Sequence, residues 1–168
     1  MNKYLLMLGL VVFISVSFAE RVLKVGIDGT YPPFNQIDKS GEIVGFDVDI
    51  THALCVQMQR DCKIVKIDWD GLIPALKARK IDAIIASMNA TAKRKKVIDF
   101  TDFYYKIPIR SIRKKGTDTA YSKADLKGKV IGVQTSTTQA DYMHDHFAQV
   151  AEIKTYNSNN EAILDLQT

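Results

Sequence analysis

The chain has 168 residues, 46% of them hydrophobic and 25% charged, with a formal net charge of +4. That balance is globular and excludes collagen-like, low-complexity and coiled-coil architectures. The charge excess is too mild to mark a nucleic-acid surface, so it bears on solubility and not on a polyanionic partner.

Met1-Asn2-Lys3 is followed by an apolar run over residues 4–16 and then by Ser17-Phe18-Ala19. A positive start, an apolar stretch too short to span a bilayer comfortably and small residues before a cut after Ala19 read as a secretory signal over residues 1–19. The alternative, an uncleaved anchor, lacks a stop-transfer pattern or basic flank. Removing Lys3 with the signal takes the net charge from +4 to +3.

Val22-Leu23-Lys24-Val25-Gly26-Ile27 predicts a first strand, ending in the turn Asp28-Gly29-Thr30-Tyr31-Pro32-Pro33. Asp38-Lys39-Ser40-Gly41 is a second turn. Phe46, Ile50, Ala53 and Leu54 fall on one face of a helix, with Asp47 and Asp49 in its first turn, where the helix dipole favours carboxylates. Ile64-Val65-Lys66-Ile67 predicts a strand, and Leu72, Ile73, Ala75, Leu76 and Ala78 a helix that tolerates Pro74 in its first turn. Residues 82–86 return as a buried strand. Alternation of strand and helix in this order predicts an α/β fold, each sheet mainly parallel and flanked by helices.

Residues 106–113 read as a strand or extended crossover containing Pro108. A second unit follows, with Lys129-Val130-Ile131-Gly132-Val133 as a strand, a polar loop at residues 134–139, a helix carrying Tyr142, Met143 and Phe147, a strand at residues 151–155, and a helix containing Ala162, Ile163, Leu164 and Leu166. This last helix echoes Leu72-Ile73-Pro74-Ala75-Leu76, which in the first half is followed by a strand. The expectation is a chain truncated within its second lobe, with residues 20–107 forming the main part of lobe 1 and residues 108–168 an incomplete lobe 2.

Export would place Cys55 and Cys62 in an oxidising compartment. Their spacing does not fit a redox Cys-x-x-Cys, and two thiols make at most half a zinc site, which leaves a local structural disulfide or a pair of reduced, buried cysteines. His52, His144 and His146 do not share a helix face and read as surface residues. No nucleophile elbow, P-loop or dinucleotide-binding glycine pattern occurs. Polar loops at the carboxyl ends of the predicted strands remain, which is where open α/β sheets bind small ligands. They carry Asp28, Tyr31, Trp69, Ser87, Asn89, Arg94, Thr138 and Gln139. Taken singly, Arg94 could belong to the solvated run Lys93-Arg94-Lys95-Lys96, Trp69 to the core and Asp28 to a turn.

Val25-Gly26-Ile27-Asp28 with Tyr31-Pro32-Pro33-Phe34, Gly45-Phe46-Asp47-Val48-Asp49, Asp82-Ala83-Ile84, Thr91 with Lys93-Arg94, and Ile98-Asp99-Phe100-Thr101 together resemble the extracytoplasmic solute-binding proteins of polar amino-acid ABC transporters. The likeness is greatest to the lysine/arginine/ornithine and histidine binders, which share the short cysteine loop matched by Cys55 and Cys62. The resemblance implies a two-lobed, type II periplasmic-binding-protein fold that closes on its ligand, a periplasmic monomer without cofactor or metal, and a membrane permease as partner. It implies that Arg94 holds the ligand α-carboxylate with backbone N–H groups near Asn89 and Thr138, that Ser87 lies near the α-ammonium, and that Gln139 lines the second lobe. Asp28, Tyr31 and Trp69 match the side-chain pocket, and two aromatic faces with a carboxylate beyond suit a cationic side chain. Arginine, lysine or ornithine, with histidine beside them, are the expected ligands. Ala86 and Asn89 stand where similar receptors carry serines, and Ser136 where many carry glycine. The family's aspartate for the α-ammonium would lie beyond Thr168. The alternative is a cyclohexadienyl-dehydratase-like enzyme on the same scaffold, with Asp28 or Glu161 as its acid or base.

Overall fold

The computed structural model describes residues 21–117 and 121–168, so the expected signal at residues 1–19 lies outside the described residues. Strand β1 (Leu23–Ile27) is the centre of a parallel sheet, with β5 (Cys62–Lys66) on one side and β6 (Ala83–Ile84) on the other. The register runs from Leu23 opposite Cys62 to Ile27 opposite Lys66, with Val25 and Gly26 facing Ala83 and Ile84.

Both faces of this sheet are covered, as parallel sheets require. Val25 and Ile27, two residues apart and therefore on one face, pack with Val48 of helix α1 (Phe46–Gln57). Gly26 turns to the other face, where a Cβ would lie 2.5 Å from Ile81 and 3.0 Å from Leu72. Its missing side chain admits the second core cluster, formed by Leu72, Ala75, Ile81 and Ala86 around helix α2 (Leu72–Lys77). Pro74 sits in the first turn of α2, where its missing N–H has no helical acceptor to lose.

A small antiparallel sheet of β2 (Thr30–Tyr31), β3 (Asn35–Ile37) and β4 (Ile43–Val44) lies between β1 and α1 in the chain. The predicted turn at Asp38 joins β3 to β4, and its carboxylate accepts from the N–H and hydroxyl of Ser40 and the N–H of Glu42. Helix α3 (Ala92–Lys95) follows β6 and is capped by Thr91, whose hydroxyl accepts from the N–H of Arg94.

The second parallel pair is β7 (Val130–Gln134) with β8 (Glu152–Tyr156), in register from Val130–Glu152 to Gln134–Tyr156. Helix α4 (Thr138–Phe147) buries Ala140, Met143 and Phe147 against Val133. Helix α5 (Asn159–Gln167) approaches Gly132 of β7, where a Cβ would stand 3.5 Å from Ala162. The expected α/β class is therefore present in both sheets.

Three expectations are corrected. Helix α1 buries Asp47, Val48, Thr51 and Cys55, whereas Leu54 on the predicted face is exposed. The hydrogen bonds of Asp47 and the bond between Cys55 and Cys62, whose Cα atoms are 6.1 Å apart, set the rotation of the helix. The strand predicted over residues 82–86 contracts to Ala83–Ile84. Of the two readings of residues 106–113 the strand is absent: the segment forms no regular element and is exposed, and Pro108 has no N–H for a ladder. The apolar residues of α5 are uncovered: none is buried, and Leu164 is 62% exposed.

Candidate functional site

The expected site residues fall into two connected groups at the carboxyl ends of the parallel strands. Asp28 begins the first group, one residue beyond β1 and only 2% exposed. Its Oδ2 accepts from the Thr30 hydroxyl at 2.6 Å, while Oδ1 is buried without a hydrogen-bond partner. Burial raises its pKa above the ordinary carboxylate range, against the opposing pull of the Thr30 hydroxyl. An unsatisfied carboxylate oxygen in this setting costs free energy until a donor reaches it. Tyr31 stacks on Phe34 with ring centroids 5.1 Å apart, which presents an aromatic wall near Asp28 in the chain.

Ser87 completes this group, in a way the sequence reading did not foresee. It adopts φ +49°, and its hydroxyl donates to both oxygens of Asp47 at 3.1 and 3.2 Å. Asp47 is fully buried and also accepts from Asn35 at 2.7 Å and from the Tyr104 hydroxyl at 2.9 Å. Its position is set locally by Gly45, the residue before α1. There φ is +125°, and a Cβ would lie 2.6 and 2.7 Å from the carbonyl oxygens of Phe34 and Pro33. Only glycine allows this approach, which lets the N–H of Asp47 bond the Phe34 carbonyl at 2.8 Å. Desolvation raises the Asp47 pKa, opposed by the donors Asn35, Tyr104 and Ser87, and Asp28 adds a like-charge push. Burial and Asp47 together raise the phenol of Tyr104.

The second group bridges the two sheets. Arg94 is the one member of its basic run drawn inward: Nη1 donates to the Asn89 carbonyl and Nη2 to the Ser136 carbonyl, each at 2.9 Å. Its guanidinium lies 5.3 Å from the centre of the Trp69 ring. Trp69 packs against the core around α2 and also donates through Nε1 to the Ser136 carbonyl at 3.2 Å. Trp69 thus takes part in the core with one part of its ring and reaches Ser136 with another. Ser136 adopts φ +57°, a left-handed conformation that orients its carbonyl toward these two donors.

The Asn89 amide reaches Thr138 Oγ1 at 3.1 Å, and Thr138 donates to Gln139 Oε1 at 3.0 Å. Thr137 caps α4 by accepting from Ala140, so Thr138 and Gln139 lie in the helix's first turn, where backbone N–H groups point outward. Burial lowers the pKa of Arg94, with Asp141 of α4 acting in the opposite sense.

The structure thus connects Trp69, Asn89, Arg94, Thr138 and Gln139, and sets Asp28, Tyr31 and Ser87 around Asp47. Asp47, Tyr104 and Ser136 were missed as members of the site. A cavity of about 410 Å³ shares only Ser87 and Asn89 with the expected residues and is lined mainly by residues 98–107. Glu161 instead caps α5: it accepts from the N–H of Asn157, while its own N–H donates to Ser158. Among the described residues no cluster of three or more His, Cys, Asp or Glu side chains could hold a metal ion.

A family model described as bacterial extracellular solute-binding proteins, family 3, matches residues 23–166. The chain is 46% identical over 149 residues to the L-arginine-binding protein of Pseudomonas aeruginosa, covering 88% of this chain and 58% of that protein. It is 41% identical over 167 residues to ABC transporter arginine-binding protein 1 of Escherichia coli, covering 99% and 68% respectively. Other similar proteins are named for binding histidine and lysine/arginine/ornithine. An ancestral arginine-binding protein bound to arginine superposes with a TM-score of 0.77 at 35% identity, over 87% of this chain and 65% of that one. The chain therefore spans 58% and 68% of the length of the two curated relatives described first.

Proposed function

Since the chain belongs to the bacterial extracellular solute-binding proteins, family 3, we propose that it is a periplasmic receptor for a basic L-amino acid, which it delivers to the permease of an ABC importer. The ligands are arginine, lysine and ornithine, with histidine as a further member. The observation that carries the ligand class is Asp28, a buried carboxylate with one oxygen lacking any donor. A guanidinium or ammonium group supplies that donor and neutralises the charge, whereas a neutral amide supplies a weaker one and an acidic side chain repels it. Tyr31 and Trp69 provide the aromatic faces for the aliphatic stem and cationic end.

In this reading Arg94 takes the ligand α-carboxylate. Two of its five N–H groups bond carbonyls, which fixes the plane of the fork, and the rest remain to grip the anion. Backbone N–H groups near Asn89 and at the start of α4 by Thr138 complete the carboxylate site, and Gln139 lines the same face. Ser87 receives the α-ammonium. Residues 20–107 and 108–168 act as two lobes that close on the ligand, after removal of residues 1–19 as an export signal. The protein acts as a monomer and performs no covalent chemistry. Glu161, the one alternative acid named from sequence besides Asp28, is engaged in capping α5.

Trp69 is the sole tryptophan, so its emission reports events at this site. Titration with arginine, lysine, ornithine, histidine, glutamine and glutamate should shift that emission for the basic set at micromolar concentration. A response to glutamine or glutamate but not to the basic set would reject the ligand assignment.

A further inference from the structure

The helix dipole accounts for a carboxylate near the start of α1, but it does not account for what Asp47 holds. Asn35 of β3, Ser87 beyond β6 and Tyr104 reach its two oxygens from three separate segments. A closed ring results, because the N–H of Ser87 also donates to the Tyr104 oxygen at 2.7 Å. An ionised carboxylate only accepts, so every hydroxyl proton in this ring is directed at Asp47. That fixes the polarity of Ser87: its O–H points inward, and the lone pairs of Oγ are left as acceptors. Donation to an anion also polarises the hydroxyl and strengthens it as an acceptor. The same ring holds Ser87 at φ +49°, a conformation that a non-glycine residue keeps only when its surroundings over-determine it.

We propose that Asp47 is a positioning residue for ligand recognition, which orients the Ser87 hydroxyl as an acceptor for the ligand ammonium. This rests on the reading of Ser87 as the ammonium contact in the proposed amino-acid site. Replacement of Asp47 by Asn keeps the amide oxygen where Asn35 donates and so puts the NH₂ at the Oδ1 position facing Tyr104 and Ser87, where the Ser87 hydroxyl accepts from it and turns its proton outward. The cleft would then present a donor to a cation, which has only donors.

The test is calorimetric titration of the wild-type protein and of the variants D47N, S87A and D47N/S87A with L-arginine and with 5-guanidinopentanoate, which has the same carboxylate and guanidinium but no α-ammonium. The expected result is a loss of about 10-fold or more for arginine in D47N, with less than about threefold for the des-amino analogue. In the S87A background the D47N change should cost no further arginine affinity, since the effect passes through that hydroxyl. Equal losses for both ligands in D47N, or additive losses in the double variant, would overturn the proposal. Should D47N not fold, Y104F removes one donor from the ring, and its loss must again be greater for arginine than for the analogue. An equal loss in Y104F, or no loss in S87A, would overturn it by that route. A wild-type protein that binds neither compound would instead overturn the amino-acid reading on which the proposal depends.

Discussion

Asp28→Asn separates the role of a buried charge from that of a buried shape. The two side chains are nearly isosteric, and Asp28 is 2% exposed, with the Thr30 hydroxyl on Oδ2 and no partner on Oδ1. A charge-assisted bond to a cationic ligand group in such a desolvated place is worth about 2–3 kcal/mol, so arginine and lysine affinity should fall ~30- to 150-fold. Glutamine or any other neutral side chain binding at the same place should change by less than ~3-fold. Stability should move the other way. Burial raises the folded-state pKa of Asp28, so its stabilising contribution is full below the ordinary unfolded value and is lost as pH rises through the raised one. At neutral pH the unliganded Asn variant should therefore melt no lower than the wild type. Binding has the opposite sign: cationic ligands need the ionised form, so their affinity declines as pH falls through the raised pKa, beginning above the ordinary carboxylate range. Asn at 28 removes that decline, apart from the share due to Asp47, which is also raised. Titration calorimetry between pH 4 and 7 on both proteins is the assay. Equal losses for arginine and glutamine, with an unchanged pH profile, would refute the argument.

Arg94→Lys should weaken every amino-acid ligand by ~10- to 100-fold whatever its side chain, because an ammonium can neither hold two carbonyls and a carboxylate in one plane nor stack in the same way on Trp69; a loss restricted to basic ligands would contradict a carboxylate role. Replacing Cys55 and Cys62 together by serine opens a crosslink of sequence separation 7. In the chain-entropy model this costs about 2–3 kcal/mol in urea denaturation, and a loss below ~1 kcal/mol would show that the bond does not constrain the unfolded chain. Trp69→Phe retains an aromatic face but loses the N–H bond to Ser136, so arginine affinity should fall by less than ~10-fold while the emission change disappears.

The sheets were legible because parallel strands write themselves as short apolar runs: Leu23-Lys24-Val25-Gly26-Ile27 and Val130-Ile131-Gly132-Val133 both form strands where the composition predicts them. Helix α1 was legible in extent but not in rotation. Its apolar spacing favours one face, while a buried aspartate, a threonine bonded to the Asp47 carbonyl and a disulfide hold another inward. Such polar burial carries no periodic hydrophobic trace. The β2, β3 and β4 strands are two or three residues long, too short for alternation to register.

At the site, Arg94 could be separated from its lysine neighbours only through the family pattern, and the structure gives the physical difference: it turns in to two carbonyls. Asp47 and Tyr104 escaped because their partners lie 12 to 57 residues away in the chain. The one local hint was Gly45, whose backbone admits the close approach that seats Asp47. Ser136 was placed in the polar loop after the second unit's first strand and marked as a departure from glycine, but the left-handed backbone that turns its carbonyl to Trp69 and Arg94 leaves no trace in the sequence.

The central claim is that this chain recognises a free amino acid by a cationic side chain at Asp28 and a carboxylate at Arg94. Calorimetric titration of the wild-type protein with L-arginine, and then with agmatine, its counterpart without the carboxylate, tests both ends at once. The account predicts one-to-one binding of arginine at micromolar concentration or below, and agmatine weaker by at least ~100-fold. Equal affinity for the two, or no heat with arginine, lysine, ornithine and histidine, would contradict it.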